Sequence, residues 1–299
     1  MTGELMIKKI TDIFKEKPCT FSFEFFSPKT EAGIIRLYDT VKELSKLKPD
    51  FISVTYGAGG TTRETTTKIV DEIQKKFDIS VIHHLTCIGH TKEELIDIIS
   101  KIKAIGVKNI LALRGDPPIG VKEWKKMPGG FEYSFQLIDL ISHLHKGAFS
   151  IGAAGFPECH INCPSKELDT KYLKLKIDSG ADYVITQLFF DNNDYFDYVK
   201  RLKKIGVENR IIPGVLPVVN YEGLVKFCSN CGADIPQGVR NIFEPIKNNE
   251  ELMHKAGVEF ALKQCRDLLD RGAPGLHFYT LNRIEPVREI MSSLRARTK

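Results

Sequence analysis

The stretch Phe21-Ser22-Phe23-Glu24-Phe25-Phe26-Ser27-Pro28-Lys29 is followed, over 31–47, by apolar residues at helical spacing (Ile34, Leu37, Val41, Leu44). This strand-then-helix unit is the one the rest of the chain repeats. Phe suits a pleated, half-buried surface, and Pro28 stops the ladder. Side chains alternate along a strand, so Phe21, Phe23 and Phe25 share one face while Ser22, Glu24 and Phe26 share the other. Glu24 is then a carboxylate embedded among aromatics. Burying it ionised and unpaired costs on the order of several kcal/mol, so it must find a partner or keep its proton with a raised pKa. Two readings stand: a structural carboxylate paired with a Lys or Arg, or a general acid.

Further strands read at 51–56, 80–87, 109–114, 150–156, 183–190, 211–218 and 276–281, each followed by helical spacing. Thr91-Lys92-Glu93-Glu94 has the form of a capping box. Helices are expected from about 134, at 165–179, 193–204, 221–230, 250–271 and 285–295. Eight regular units without a linker or composition break predict one domain over 1–299, a closed (β/α)8 TIM barrel, with a doubly wound open sheet as the alternative.

Of the 299 residues 42% are hydrophobic and 27% charged, with a net charge of +5, which is ordinary for a globular chain. Lysines are scattered and form no dense basic run, so nucleic acid is not an expected partner. No apolar run approaches the ~20 residues of a membrane span, and 1–17 lacks the apolar core of a signal peptide. Seven scattered cysteines fit reduced thiols in a cytoplasm.

In such a barrel the functional groups belong at the C-terminal strand ends and the loops after them. Those positions hold Glu24, Thr55-Tyr56-Gly57, His83-His84, Arg114-Gly115-Asp116, Pro157-Glu158-Cys159-His160, Gln187, Asp191 and 279–283. The strands carry no Lys for a Schiff base, and Gly57-Ala58-Gly59-Gly60 lacks dinucleotide-binding spacing. Cys159-x3-Cys163 with His160, and Cys228-x2-Cys231, look like two halves of a zinc site. The first pair follows a strand and the second ends a helix, which predicts opposite faces of the barrel and no metal.

Six motifs in order span nearly the whole chain: Phe23-Glu24-Phe25-Phe26-Ser27-Pro28, Val54-Thr55-Tyr56-Gly57-Ala58, His84-Leu85-Thr86-Cys87, Arg114-Gly115-Asp116-Pro117, Ile185-Thr186-Gln187-Leu188-Phe189-Phe190-Asp191 and His277-Phe278-Tyr279-Thr280-Leu281-Asn282-Arg283. Together they resemble the methylenetetrahydrofolate reductase family, in its short, bacterial-type form without an S-adenosylmethionine-binding regulatory domain. The resemblance implies non-covalent FAD, reduced by NADH or NADPH, that passes a hydride to 5,10-methylenetetrahydrofolate in ping-pong fashion and yields 5-methyltetrahydrofolate for methionine synthesis. Glu24 matches the family's general acid, which promotes opening of the five-membered ring, a role that suits a carboxyl with a pKa raised toward working pH and kept dry by the aromatics around it; Asp116 matches the acidic residue near flavin and pterin. Gln187, Phe227, Tyr279 and Arg283 match substrate-binding positions. Thr55, Tyr56, Ala58, His84, Arg114, Gly115, Asp116, Tyr133, Ser134, Ala154, Phe156, His160, Asp169 and Lys176 match FAD-binding positions, with Arg114 and Lys176 serving the diphosphate.

The chain departs from the family's pattern in places. His160 is followed by Ile161-Asn162-Cys163 rather than Pro-Glu-Ala, Phe156 replaces a frequent Tyr, and Tyr172 and Gly223 stand where some members have Asn and Gln. Relatives assemble as dimers or tetramers, so a homo-oligomer is expected, and an iron–sulfur partner subunit stays open. Two other readings remain. One is a flavin barrel resembling proline dehydrogenase, which wants an arginine pair where only Arg283 is evident. The other is a flavin-free pterin barrel acting in methyl transfer to a corrinoid partner.

Overall fold

A computed structural model describes residues 7–56, 63–116 and 126–296. Eight strands, β1 Thr20–Phe25, β2 Phe51–Val54, β3 Val81–Thr86, β4 Asn109–Leu113, β5 Ser150–Gly155, β6 Tyr183–Leu188, β7 Arg210–Val215 and β8 Gly275–Tyr279, form a closed barrel in chain order. The pairing is parallel throughout, and β1 closes on β8 with Ser22 opposite His277 and Glu24 opposite Tyr279. The expected closed barrel is therefore present.

The helices are α1 Ile10–Glu16, α2 Glu31–Ser45, α3 Arg63–Phe77, α4 Lys92–Ala104, α5 Ser134–Leu144, α6 Lys166–Asp178, α7 Asn192–Lys204, α8 Tyr221–Cys231, α9 Gln237–Phe243, α10 Glu250–Asp270 and α11 Glu285–Ala296. Polar side chains set their starts: Thr30, Ser165, Asp191, Asn220 and Asn249 each accept from a first-turn backbone N–H. Thr91 and Glu94 close the predicted capping box. No helix among the described residues is long and apolar enough to cross a membrane.

Strand alternation divides the interior in two. Phe23, Phe25, Ile52, Val54, Leu85, Ile110, Ala153, Val184, Leu276 and Phe278 face outward into the main core with the helices. Each such fully buried side chain contributes roughly 1.5–3 kcal/mol by leaving water. Phe51, Ile82, Leu111, Tyr183, Ile185 and Ile212 fill the barrel itself, where they meet Ile10 and Ile13 of α1. The α1 helix plugs the end of the barrel where the strands begin. Its Ile10 N–H donates to Asn109 Oδ1 at 2.8 Å, and Arg210 donates to the carbonyls of Phe14 and Lys17, each at 2.9 Å. Seven residues are too few to hold a helix alone, so this packing makes it.

The seventh unit departs from the simple repeat. A separate cluster joins Leu188, Phe190, Leu216 and Val218, beyond or at the C-terminal ends of β6 and β7, to Tyr221, Leu224 and Cys228 of α8 and Val239 and Phe243 of α9. The α8–α9 pair thus packs over the open end, and α10 is the helix that leads back to β8.

Candidate active site

At the C-terminal end of the barrel, Glu24 is 8% exposed and faces inward among polar neighbours. Ser53 Oγ donates to its Oε2 at 3.3 Å, and His277 Nε2 lies 3.3 Å and His84 Nε2 3.4 Å from that same oxygen. Among the described residues no Lys or Arg pairs with it. The Phe side chains of β1 do not form a dry box around it either: Phe23 and Phe25 lie on the opposite face, and Phe26, past the strand end, is 38% exposed.

This environment corrects the expected direction of the Glu24 pKa. Burial pushes the carboxyl up, but His84, His277 and the Ser53 hydroxyl together outweigh burial and hold it below the ordinary carboxylate value. His84 is itself driven down by burial, with the Glu24 carboxylate opposing. The neighbouring His83 points the other way: burial lowers it to about 4, and its ring meets Thr67 Oγ1 at 3.1 Å and the His84 carbonyl at 2.6 Å.

A second group lies at the ends of β4 and β5, across the barrel from β1. Lys176 Nζ donates to the Ala154 carbonyl at 2.9 Å and sits 5.5 Å from the Phe156 ring centroid, while Phe156 meets His160 edge-on at 4.6 Å. Burial lowers Lys176 to about 8, against the pull of Asp169. Burial likewise raises Asp169, with Lys176 opposing. Arg114 donates to the Glu132 carbonyl at 3.3 Å, which brings Tyr133 and Ser134 at the start of α5 beside the end of β4. Gly115 takes a positive φ of 87°, and a Cβ there would stand 2.6 Å from Ile88 Cγ2.

The remaining expected positions divide. Thr55 is half-buried just past β2, where its Oγ1 accepts from Ser27 N. The Tyr56 ring lies outside the mouth, against His83 and His90 in the layer between strands and helices. Ala58 falls outside the described residues. Asp116 is exposed beyond β4. Gln187 sits at a break in the β6–β7 register between Ile185 and Leu188, and its Oε1 accepts from the Leu188 N–H at 2.9 Å. Phe227 of α8 packs in the same cluster as Tyr279. Arg283 is exposed, after Leu281 and Asn282 in left-handed backbone. Tyr279 already commits its hydroxyl to the Thr186 carbonyl at 2.6 Å, so it bridges β8 to β6 across β7. Gly214 permits that crossing, since a Cβ there would lie 2.6 Å from the ring.

The cysteine geometry overturns the expected opposite faces. A Cβ on Gly232, next to Cys231, would lie 2.7 Å from Ile161, and Asp234 N donates to Glu158 at 2.8 Å. The end of α8 therefore docks on the loop after β5, because α8 lies over the mouth rather than along the barrel wall. Cys159, Cys163 and Asp169 have donor atoms within 4.8 Å of one another, a set that could take a metal ion, and Cys228 and Cys231 are not among them. Lys176 and Arg201 stand beside Asp169, charges that oppose a cation there.

Sequence reading quoted His277 within a motif but gave it no role in the site. Its only signal was its place on the strand that must close against β1.

Comparison with known proteins gives one answer. The profile of the methylenetetrahydrofolate reductase family matches residues 9–295. Methylenetetrahydrofolate reductase (NADH) 1 of Arabidopsis thaliana is 35% identical over 286 residues, 93% of this chain and 48% of that protein. The 5,10-methylenetetrahydrofolate reductase of Salmonella typhimurium is 36% identical over 277 residues, 92% of this chain and 90% of that one. The chain thus spans about half the length of the plant relatives. An uncharacterized Clostridium thermocellum protein that binds two copies of 5-methyl-5,6,7,8-tetrahydrofolic acid shares the fold, with a TM-score of 0.61 at 15% identity over 95% of this chain and 96% of that one.

Proposed function

Because this chain belongs to the methylenetetrahydrofolate reductase family, we propose that it reduces 5,10-methylenetetrahydrofolate to 5-methyltetrahydrofolate with NADH or NADPH, as one catalytic domain carrying FAD. The observation that carries this reading is the meeting, in one barrel mouth, of an inward carboxyl and a half-buried cationic bay. The bay suits FAD. Lys176 has a backbone carbonyl as its hydrogen-bond partner, a poor match for an ammonium that burial already disfavours, and a diphosphate would supply the missing charge. His84 Nε2, 3.4 Å from Glu24 Oε2, makes no hydrogen bond among the described residues. Arg114, Lys176, His160 and Asp169 would hold the cofactor with Thr55, Gly115, Tyr133, Ser134, Ala154 and Phe156. When bound, FAD supplies a carrier that accepts a hydride from the nicotinamide and gives it to the folate.

The protein's own groups do the rest. Glu24 gives a proton to the folate as its five-membered ring opens. Its lowered pKa in the free protein means that ligand binding must raise it, by displacing water and adding a neutral ring system beside the carboxyl. Asp116, exposed at the end of β4, would face pterin and flavin, and the Gln187 amide, held at the register break, would bond the pterin or nicotinamide. Arg283 and Phe227 position the folate, and Tyr279 shapes the wall through its ring while its hydroxyl stays on Thr186. The chain works as a homo-oligomer.

Anaerobic stopped-flow on FAD-loaded protein tests the proposal. Reduction of the bound flavin by either nicotinamide, followed by its reoxidation with methylenetetrahydrofolate, is the expected result. A protein that takes up no yellow flavin would refute the reading and leave the flavin-free pterin barrel.

A further inference from the structure

All three polar contacts on the Glu24 carboxyl fall on one oxygen. Ser53 Oγ, His277 Nε2 and His84 Nε2 surround Oε2 at 3.3, 3.3 and 3.4 Å, and Oε1 has no hydrogen-bond partner among the described residues. His277 is held from behind as well: its Nδ1 is 2.8 Å from Ser22 Oγ, and both side chains are fully buried. Ser22 and Glu24 are alternate residues of β1 and share its inward face, while Ser22 and His277 are register partners across the closing seam.

A neutral imidazole carries one N–H, and the partner at one nitrogen decides which nitrogen bears it. If the Ser22 hydroxyl donates to Nδ1, the ring proton is on Nε2 and is given to Glu24 Oε2. The opposite tautomer would have Nδ1–H donate to Ser22, whose hydroxyl would then need the Leu276 carbonyl, at 3.4 Å. That bond is at the outer limit for an O–H donor, so the first arrangement is better satisfied. With Oε2 occupied by donors, a proton placed there would confront other hydrogens.

We propose that Ser22 and His277 are positioning residues that fix the Glu24 carboxyl with Oε2 as acceptor and its transferable proton on Oε1. The kinetic consequence rests on the reductase reading, whereas the tautomer does not. The groups facing Glu24 are Ser53 from β2, His84 from β3 and His277 and Tyr279 from β8. Burial lowers the His84 pKa against the pull of Glu24 and raises that of the Tyr279 phenol.

Nitrogen-15 NMR of histidine-labelled, FAD-loaded protein, assigned with His277→Gln, reads the tautomer directly. The expected signal is a protonated Nε2 and an unprotonated Nδ1 on His277. Ser22→Ala should abolish that preference, shift the pH profile of flavin reoxidation by folate and slow it on the order of tenfold, the worth of one neutral hydrogen bond. Ser22→Thr should restore both, and reduction by nicotinamide should not change in either variant. A wild-type His277 protonated on Nδ1, or an unmoved pH profile in Ser22→Ala, overturns the proposal. If neither nicotinamide reduces the flavin, the reductase reading fails, and the NMR result still decides the carboxyl's arrangement.

Discussion

The two ends of the barrel are made from the same eight strands and have opposite contents. At the end where the strands begin, Ile10 and Ile13 of α1 close on Phe51, Leu111, Tyr183 and Ile212, and Asn109 Oδ1 and Arg210 Nη2 bond the plug's own backbone. At the end where they finish, Glu24, His84 and His277 converge with one carboxylate oxygen unpaired among the described residues, and Lys176 hydrogen-bonds a carbonyl beside Asp169 and Phe156. The difference lies in kind rather than in how completely polar groups are satisfied. Hydrogen bonds to α1 tie down the closed end although Thr20 Oγ1, Tyr183 Oη and Arg210 Nη1 there are buried without a hydrogen-bond partner among the described residues, whereas the other end gathers a carboxyl, imidazoles and an ammonium, the set proposed to meet a ligand.

Substitutions can break that division. The largest effect is expected from Glu24→Gln, which should slow flavin reoxidation by folate about 10²–10⁴-fold while nicotinamide still reduces the flavin. Equal loss of both half-reactions in stopped-flow would make Glu24 structural and erase the contrast. At the closed end, Ile10→Ala should cost about 2–5 kcal/mol in urea unfolding and leave both half-reactions intact. A kinetic defect there would couple the two ends.

His83 tests the wall between them. Its folded pKa of about 4 lies below its ordinary 6.5, so its contribution is fully present above pH 6.5 and is lost as pH falls through about 4. That is on the order of 3 kcal/mol, and His83→Gln should flatten the acid limb of a stability-against-pH curve by that amount relative to the wild type. An unchanged acid limb would mean that His83 is protonated in the fold. The smallest effect is expected from Thr91→Ala, which removes the cap of α4 next to the mouth: about 1 kcal/mol in thermal unfolding and no change in either half-reaction. A kinetic change in that variant would show that the helix starts at this end belong to the site.

Much of this was legible in the sequence, for local reasons. Alternation and helical spacing placed all eight strands, and Thr91 with Glu94 announced its own capping box. Glu24 stood out because a carboxylate in an aromatic run needs an explanation. Its partners did not, because His277 lies 253 positions away and meets it only when the first and last strands pair. The pKa direction failed for the same cause: the aromatics read as neighbours were on the other face, and the true neighbours were imidazoles. The α1 plug and α9 escaped because each is a seven-residue helix held by what it packs on rather than by its own pattern, while α8 was expected at 221–230 and only its place over the mouth was missed.

The closing seam between β1 and β8 has a consequence for the making of the protein. During synthesis β1 emerges early and waits for a mate that is almost the last segment translated, at roughly 5–20 residues per second. Until then its far edge is an open ladder of backbone donors and acceptors, a surface on which another nascent chain can pair. Glu24 lacks His277 over the same interval. The pairing that hides this aggregation-prone edge is therefore the same event that brings His277 to Glu24, and a chain cut short before residue 275 would keep the edge open and leave the carboxyl without that partner.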